Sequence, residues 1–469
     1  MHKSSVVLAF IIPVIVVCLL RLLGGFDGVY GQDPYEYLRY AQALRHFFLT
    51  GIPPGDYFWP VGYPLAGALL SLIIPNTALS LQLISALSLG LIYFYSLKIV
   101  SLIYPSTHKT HLVFSGVFMV VSPYMLRFGL SVMSEVFTLG TLVAGTYFIL
   151  AFVKKQGIHT LWIGVFLFSV SVMSRYAAAI LILPMGIYGL IAFFRQQQKW
   201  YFFLVAGVAA LIPLVPHLLI RADNPGGFIF QDLLTLWSPQ HFFQRNFSTP
   251  DGITHYSLPN LGYSLAGLFF PRYFALGIVI VLLGFRKLIF PGPSRVIGLG
   301  VLLYLIFLAG IPFQNNRFLL LAFPFFIILL YPAIQYCFGL VEKRMQWGLF
   351  VLVVMGQILL FTVSFKKVWS RAQLEREIYA YLSQHPSAIY TLDMDISLKG
   401  RGYTAPLHNM LENYYDKVDT NALVLFNPAI FTQQWKGKNP VLNWEHFNKD
   451  HHLTEIKTFK QGWKAYVFK

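Results

Sequence analysis

The chain is 469 residues long, 56% hydrophobic and only 12% charged, with 35 Lys and Arg against 19 Asp and Glu. A soluble domain carries about 25% charged residues, and this deficit, with 43 Phe, 27 Tyr and 9 Trp, excludes a disordered chain, a coiled coil and an ordinary soluble enzyme. The formal charge of +16 reads as the positive-inside loops of a membrane protein, with no nucleic-acid partner.

Unbroken apolar runs of about 20 residues argue for helices rather than a β-barrel, whose strands are short and alternating. Eleven spans are predicted, near 4–23, 77–101, 111–130, 134–153, 160–174, 176–194, 200–220, 273–290, 296–312, 318–339 and 347–365. The first begins after Lys3, meets no small-residue cleavage site and continues through Arg21-Leu22-Leu23, so it reads as an uncleaved span. The apolar stretch 61–74 holds Pro64 and stops at Pro75; it is too short to span and is predicted to be re-entrant or interfacial.

Basic residues set the expected orientation. Lys3, Lys98 with Lys109, Lys154-Lys155, Arg195 with Lys199, Arg286-Lys287 with Arg295, and Lys343-Arg344 alternate with less basic connections. With those loops in the cytoplasm, the N-terminus is inside and the C-terminus outside. The long connections 24–76 and 221–272 then lie outside the plasma (inner) membrane. So does everything from Lys366 onward. The expected fold is an all-α polytopic membrane module, 1–365, followed by a small extracytoplasmic α/β domain, 366–469. In that tail 371–384 reads as helix, 388–392 and 422–426 as buried strands, and the end as a hairpin turning at Gln461-Gly462. Cys18 and Cys337 lie in apolar runs and supply neither a disulfide framework nor a zinc cluster.

Several polar residues stand where chemistry is expected. In the first outer loop Asp33 reads as a helix N-cap, with Pro34 at the first helical position and Glu36 three residues after the cap, a capping box. Asp33 is then either a structural cap or a carboxylate fixed at the membrane surface as a general base, with Glu36 beside it. Glu135 opens a span. An ionisable residue there is a functional candidate, and a solvated helix end favoured by the dipole is the plainer alternative. Arg127, Arg175, Arg221, Arg272 and Arg317 fall at the outer level, against the positive-inside bias. Singly, each can snorkel to headgroups; together around an acidic loop they suggest a site for an anionic head such as a lipid phosphate. Asp393-Met394-Asp395 spells a D-x-D pattern but follows a strand on the outer side, where nucleotide sugars are not supplied, and reads as a strand-end turn. The histidines show no metal-ligand spacing; no cofactor is certain, and a divalent metal stays open but unsupported. The absence of a P-loop leaves ATP-driven transport without support.

The segment Gly31–Ala41 resembles the first extracytoplasmic loop of the GT-C superfamily, the polyprenyl-phosphate-sugar-dependent membrane glycosyltransferases. In that family an Asp after the first span opens a short helix rich in Tyr and Glu. Trp59-Pro60-Val61-Gly62-Tyr63-Pro64 resembles the family's aromatic, proline-rich lead-in to the next helix, and Ser134-Glu135-Val136-Phe137 the acidic start of a later span. Gln314-Asn315-Asn316-Arg317-Phe318 and the following 319–326 resemble the Arg-Phe-Leu…Pro signature of mannosyltransferase-like members. Gln-Asn-Asn stands where the eukaryotic version has His-Lys-Glu. The resemblance covers roughly residues 1–365.

It implies a cell-envelope glycosyltransferase taking a polyprenyl-phosphate-linked sugar as donor and a lipid, glycan or protein as acceptor, with inversion. The implied base is Asp33, with Glu36 and Glu135 as further catalytic carboxylates. Arg317, Arg175, Asn316, Arg272 and Tyr63 are the implied contacts to lipid phosphate or sugar. Two other readings stay open: a transporter or flippase of lipid-linked sugars that breaks no bond, and an assembly protein whose tail binds partners.

Overall fold

The computed structural model describes residues 3–104, 106–220, 236–249, 252–274, 276–288, 290–419 and 421–468. Arg221 and the first part of the 221–272 connection lie outside them. The chain divides into two compact units: Met1–Gly28, Tyr40–Phe243 and Pro259–Phe365 form one, and Val29–Arg39, Gln244–Leu258 and Lys366–Lys469 the other. Two stretches assigned from sequence to the membrane module, 29–39 and 244–258, therefore pack with the tail.

The protein is an integral membrane protein, mostly helical. Among the described residues seven helices are long and apolar enough to cross a membrane: Ser4–Leu22, Thr77–Ile103, Ser134–Val153, Ala178–Arg195, Tyr201–Ile220, Gly292–Gly310 and Lys343–Gln384. Counting each of two bent pairs as one span gives up to nine: Lys109–Val120 with Pro123–Gly129, bent by 62°, and Asn260–Phe274 with Gly277–Lys287, bent by 113°. The expected count of eleven is not reached. The shortfall is Ile158–Ser174 and Phe323–Gly339, 17 residues each. At 1.5 Å per residue each is about 26 Å long, short of the roughly 30 Å apolar core of a bilayer. The stretch 61–74 forms the ten-residue helix Gly62–Ser71, too short to span.

Local chemistry accounts for the breaks. Pro123 takes the first helical position after Ser122 and cannot donate to the preceding turn, so the apolar run 111–130 splits there. Asn76 caps Thr77–Ile103 by accepting the Leu79 N–H at 2.9 Å. Ser134–Val153 is the interior helix of its unit, with 78% of its apolar window buried against 6% for Ser4–Leu22. Gly140 and Gly145 allow that packing, because a Cβ at either would press on Ser88 or Phe168.

The second unit holds an antiparallel pair, β1 (Asn246–Thr249) with β2 (Gly252–His255), and a small mixed sheet. The sheet comprises β3 (Ile389–Thr391), β4 (Leu407–Asn409), β5 (Leu423–Phe426), β6 (Thr454–Thr458) and β7 (Lys464–Val467), in the order β4-β3-β5-β7-β6. β3 runs parallel to β4 and β5, while β7 pairs antiparallel with β5 and β6. The central strands β3 and β5 are buried at every residue, which is why both read as continuous rather than alternating apolar runs. Leu374, Ile378 and Leu382, on one helical face, are fully buried in the same core as Tyr390, Val424 and Ala465. The predicted strands and terminal hairpin are thus present, with Gln461 (φ 59°) and Gly462 (φ 80°) left-handed at the turn. The predicted helix 371–384 is the end of Lys343–Gln384; no Pro or Gly interrupts that helix after Gly356, and Pro386 follows its end.

Candidate functional site

Three of the charged residues singled out in the sequence converge in the first unit. Glu135 sits in the first turn of Ser134–Val153 with its side chain 1% exposed. The solvated helix end is therefore replaced by a buried carboxylate. Its Oε1 lies 2.8 Å from Arg175 Nη1 and 2.8 Å from Arg317 Nε. The two arginine side chains keep 16% and 22% exposure. Arg175 Nη1 also donates to Ser134 Oγ at 3.3 Å. Both guanidiniums lie by the Phe318 ring, 5.5 Å and 5.7 Å from its centroid, a favourable cation–aromatic arrangement.

The backbone brings these groups together by ending helices at the site. Arg175 follows Ile158–Ser174 in an extended conformation (φ −156°, ψ 115°), which turns its side chain away from the helix it terminates. Arg317 lies in a turn whose own side chain fastens it, because Asn315 Oδ1 accepts the Arg317 N–H at 3.0 Å. Two buried tyrosines hold the same turn: Tyr304 donates to the Phe318 carbonyl at 2.8 Å, and Tyr273 donates to the Asn316 carbonyl. The two helix bends interlock beside it. Ser122 Oγ donates to the Arg272 carbonyl at 3.2 Å, Arg272 Nη1 donates to Tyr124 Oη at 3.1 Å, and the Tyr124 and Tyr273 rings lie 5.0 Å apart. Irregular backbone at membrane depth is tolerated where it is buried in protein or lines a cavity.

Asn316 and Arg272 thus join the cluster through Tyr273 and Tyr124. Arg127 lies on Pro123–Gly129 by the Phe128 ring. Tyr63, read from sequence as a substrate contact, is 0% exposed. Its hydroxyl donates to the Leu81 carbonyl at 3.0 Å and meets Ser85 Oγ at 2.9 Å. Ser85 in turn donates to the Met133 carbonyl at 3.1 Å, which ties Tyr63 to the residue preceding the Glu135 helix. Sequence reasoning missed Tyr273, Tyr304, Ser134 and Phe318 as parts of this arrangement. Tyr273 adjoins Arg272 and Phe318 adjoins Arg317, whereas Tyr304 carries no signal inside an apolar run.

Asp33 and Glu36 belong to the second unit. The Glu36 N–H donates to the Gln32 carbonyl at 3.2 Å, so Gln32 is the capping position and Asp33 the first residue of the helix Asp33–Thr50. The capping box fails by one residue: the Glu36 carboxylate pairs with Arg39 at 2.8 Å. Asp33 stays in the first turn, where a carboxylate suits the helix dipole. The D-x-D residues form a strand-end turn. Asp393 has φ 67° and pairs with Arg371 at 3.0 Å. Asp395 starts the helix Asp395–Gly400 and accepts from Asn409 Nδ2 at 3.1 Å. Burial pushes the Asp395 carboxyl above its ordinary range, with local backbone hydrogen bonds pulling the other way. Among the described residues no group of three or more His, Cys, Asp or Glu is disposed to hold a metal ion.

No protein-family model matches the chain, and no curated protein matches it in sequence. Its fold does match solved structures. ArnT from Cupriavidus metallidurans bound to undecaprenyl phosphate superposes with a TM-score of 0.62 at 12% identity, over 100% of this chain and 98% of that one. The archaeal oligosaccharyltransferase AglB from Archaeoglobus fulgidus, in complex with an inhibitory peptide and a dolichol-phosphate, gives 0.54 at 12% identity, over 100% of this chain and 74% of that one. At such identity the likeness concerns the fold. The chain shares its fold, over its full length, with ArnT and AglB.

Proposed function

We propose that the protein is a glycosyltransferase of the cell inner membrane that moves a sugar from a polyprenyl-phosphate donor to a lipid, glycan or protein acceptor on the outer side. The observation that carries this reading is the pairing of Arg175 and Arg317 on one buried carboxylate, 2.8 Å from each, in a chain of this fold. Guanidiniums are planar forks suited to phosphate oxygens. Arg317, with Arg175, stabilises the charge that grows on the lipid phosphate as it leaves the anomeric carbon. Glu135 is a positioning residue that holds both forks at one place. Arg272 and Asn316 keep the surrounding bends in register. Asp33 removes the proton of the acceptor hydroxyl, whose oxygen attacks the anomeric carbon with inversion. The undecaprenyl phosphate bound to ArnT and the dolichol-phosphate bound to AglB support a polyprenyl-phosphate donor.

The test is transfer from labelled polyprenyl-phosphate sugars in proteoliposomes, with wild type beside Asp33→Asn. Wild type releases free polyprenyl phosphate, and Asp33→Asn falls by about 10²–10⁴-fold in turnover, the usual cost of losing a general base. Sugar lipid that changes leaflet intact overturns the enzymatic reading in favour of a flippase.

A further inference from the structure

A second buried ion cluster lies in the unit that contains the tail, and its ligands come from the first loop. Glu375 is buried on Lys343–Gln384 and accepts from Arg371 Nε at 2.6 Å. It also accepts from two residues beside Asp33: the Gly31 N–H at 2.8 Å on Oε1 and the Tyr35 hydroxyl at 2.9 Å on Oε2. Arg371 also contacts Asp393 Oδ2 at 3.0 Å and donates to the Asp393 carbonyl at 2.9 Å. Gln32 Nε2 donates to Asp393 Oδ1 at 3.2 Å. Two carboxylates thus share one guanidinium, and neutral donors on residues 31, 32 and 35 complete them. A buried carboxylate left without such donors is costly.

The geometry fixes more than a contact. Gly31 has φ 68°, a left-handed conformation that only a glycine adopts without strain. Its N–H is aimed by that conformation and held by Glu375. Tyr35 is buried, with the Arg401 guanidinium 5.4 Å from its ring centroid and Gly400 against its edge, where a Cβ would come within 2.6 Å. Every one of these contacts falls on a residue flanking Asp33, whose own side chain stays half-buried. Burial pushes the Glu375 carboxyl above its ordinary range while Arg371 and the loop donors pull it back.

We infer that the C-terminal domain is a positioning device for the Asp33 segment, with Glu375 and Arg371 as the residues that set where Asp33 stands. This rests on the reading of Asp33 as the base. Glu375 touches no reacting atom in this scheme; it acts through the backbone of residue 31 and the hydroxyl of residue 35. A displacement of about 1 Å in a reacting group costs about 10²-fold in rate, so loosening this anchor is visible in kcat before it is visible in donor binding.

The experiment measures donor turnover in proteoliposomes and amide hydrogen exchange of residues 29–39. It compares wild type, Glu375→Leu, Glu375→Gln, Asp33→Asn and Asp33→Asn with Glu375→Leu. Glu375→Leu removes both acceptors at similar volume, and Glu375→Gln keeps one; the expected effects rank in that order. Exchange at Gly31 rises, and kcat falls by at least about 10-fold with donor KM within about twofold. In the Asp33→Asn background the same substitution costs no further turnover. An equal loss in both backgrounds makes Glu375 a purely structural residue and overturns the inference, as does unchanged exchange at Gly31. Should Glu375→Leu not fold, Glu375→Gln and Arg371→Lys carry the test, the latter keeping charge but losing the fork that bridges Glu375 and Asp393. Failure of the parent reading is separate: wild-type turnover in Asp33→Asn removes the base, while Gly31 exchange still reports whether Glu375 holds the segment.

Discussion

Glu135→Gln is the sharpest test of the arginine cluster, because it removes the shared counter-ion and keeps the shape. Both guanidinium nitrogens lie 2.8 Å from one oxygen, so the two cationic groups stand within about 6 Å of each other. At an effective dielectric of about 20, two unit charges at that distance repel by about 3 kcal/mol. Breaking a buried pair by removing one partner generally costs about 3–5 kcal/mol, the same order. The variant is therefore expected to melt well below wild type when no ligand is present. A lipid phosphate returns the missing negative charge between the two forks. Added polyprenyl phosphate should then raise the melting temperature more in Glu135→Gln than in wild type, although transfer is lost because the guanidiniums are no longer held. Melting in detergent with and without polyprenyl phosphate, beside a neutral polyprenol control, reads both effects. Equal ligand-induced rises in the two proteins, or a variant as stable as wild type, refute the assignment of this cluster to phosphate.

Arg317→Lys should fold normally and lose about 10- to 150-fold in transfer, the equivalent of a charged hydrogen bond worth about 1.5–3 kcal/mol, because a point charge lacks the planar fork. Near-wild-type donor kinetics in that variant would reduce Arg317 to a structural counter-ion of Glu135. For topology, single cysteines placed in 24–76 and in the tail, in a background lacking Cys18 and Cys337, should react with an impermeant reagent from the extracytoplasmic side. Labelling of the tail only from the cytoplasm would remove Asp33 from its proposed compartment.

Much of the fold was legible because membrane insertion writes itself as length. Apolar runs marked the helices that became Thr77–Ile103, Ser134–Val153 and Tyr201–Ile220. Hydropathy alone left out the bends, where a run was apolar but not one straight helix. The stretch 111–130 carries Ser122-Pro123 in its middle, and Pro123 starts a second helix at 62° to the first; the Ser-Pro pair was a turn signal that hydropathy overrode. In the tail, the unbroken strands 388–392 and 422–426 were read as buried, and β3 and β5 are. The recruitment of 29–39 and 244–258 into that unit left no mark in the sequence, since pairing across hundreds of residues has no local period.

The candidate site was legible through the cost of charge. Glu135 is the sole Asp or Glu between Asp56 and Asp223, in a stretch composed almost wholly of spans. A lone carboxylate in such surroundings is expensive unless paired, so a cationic partner was required, and the arginines near span ends were the available ones. What the sequence could not supply was which arginines: Arg175 and Arg317 reach it from the end of one helix and from a turn before another, across separations no pattern encodes. The opposite error befell Glu375. Arg371 and Glu375, four residues apart among further charges at Arg376 and Glu377, look like an exposed helical ion pair, yet both carboxylate oxygens of Glu375 are engaged inside the unit. Charge density disguised burial there, whereas charge scarcity exposed it at Glu135. The informative feature of a polar residue in this chain is therefore how far it stands from its own kind, and by that measure Glu135, more than the motif around Asp33, was the strongest signal in the sequence.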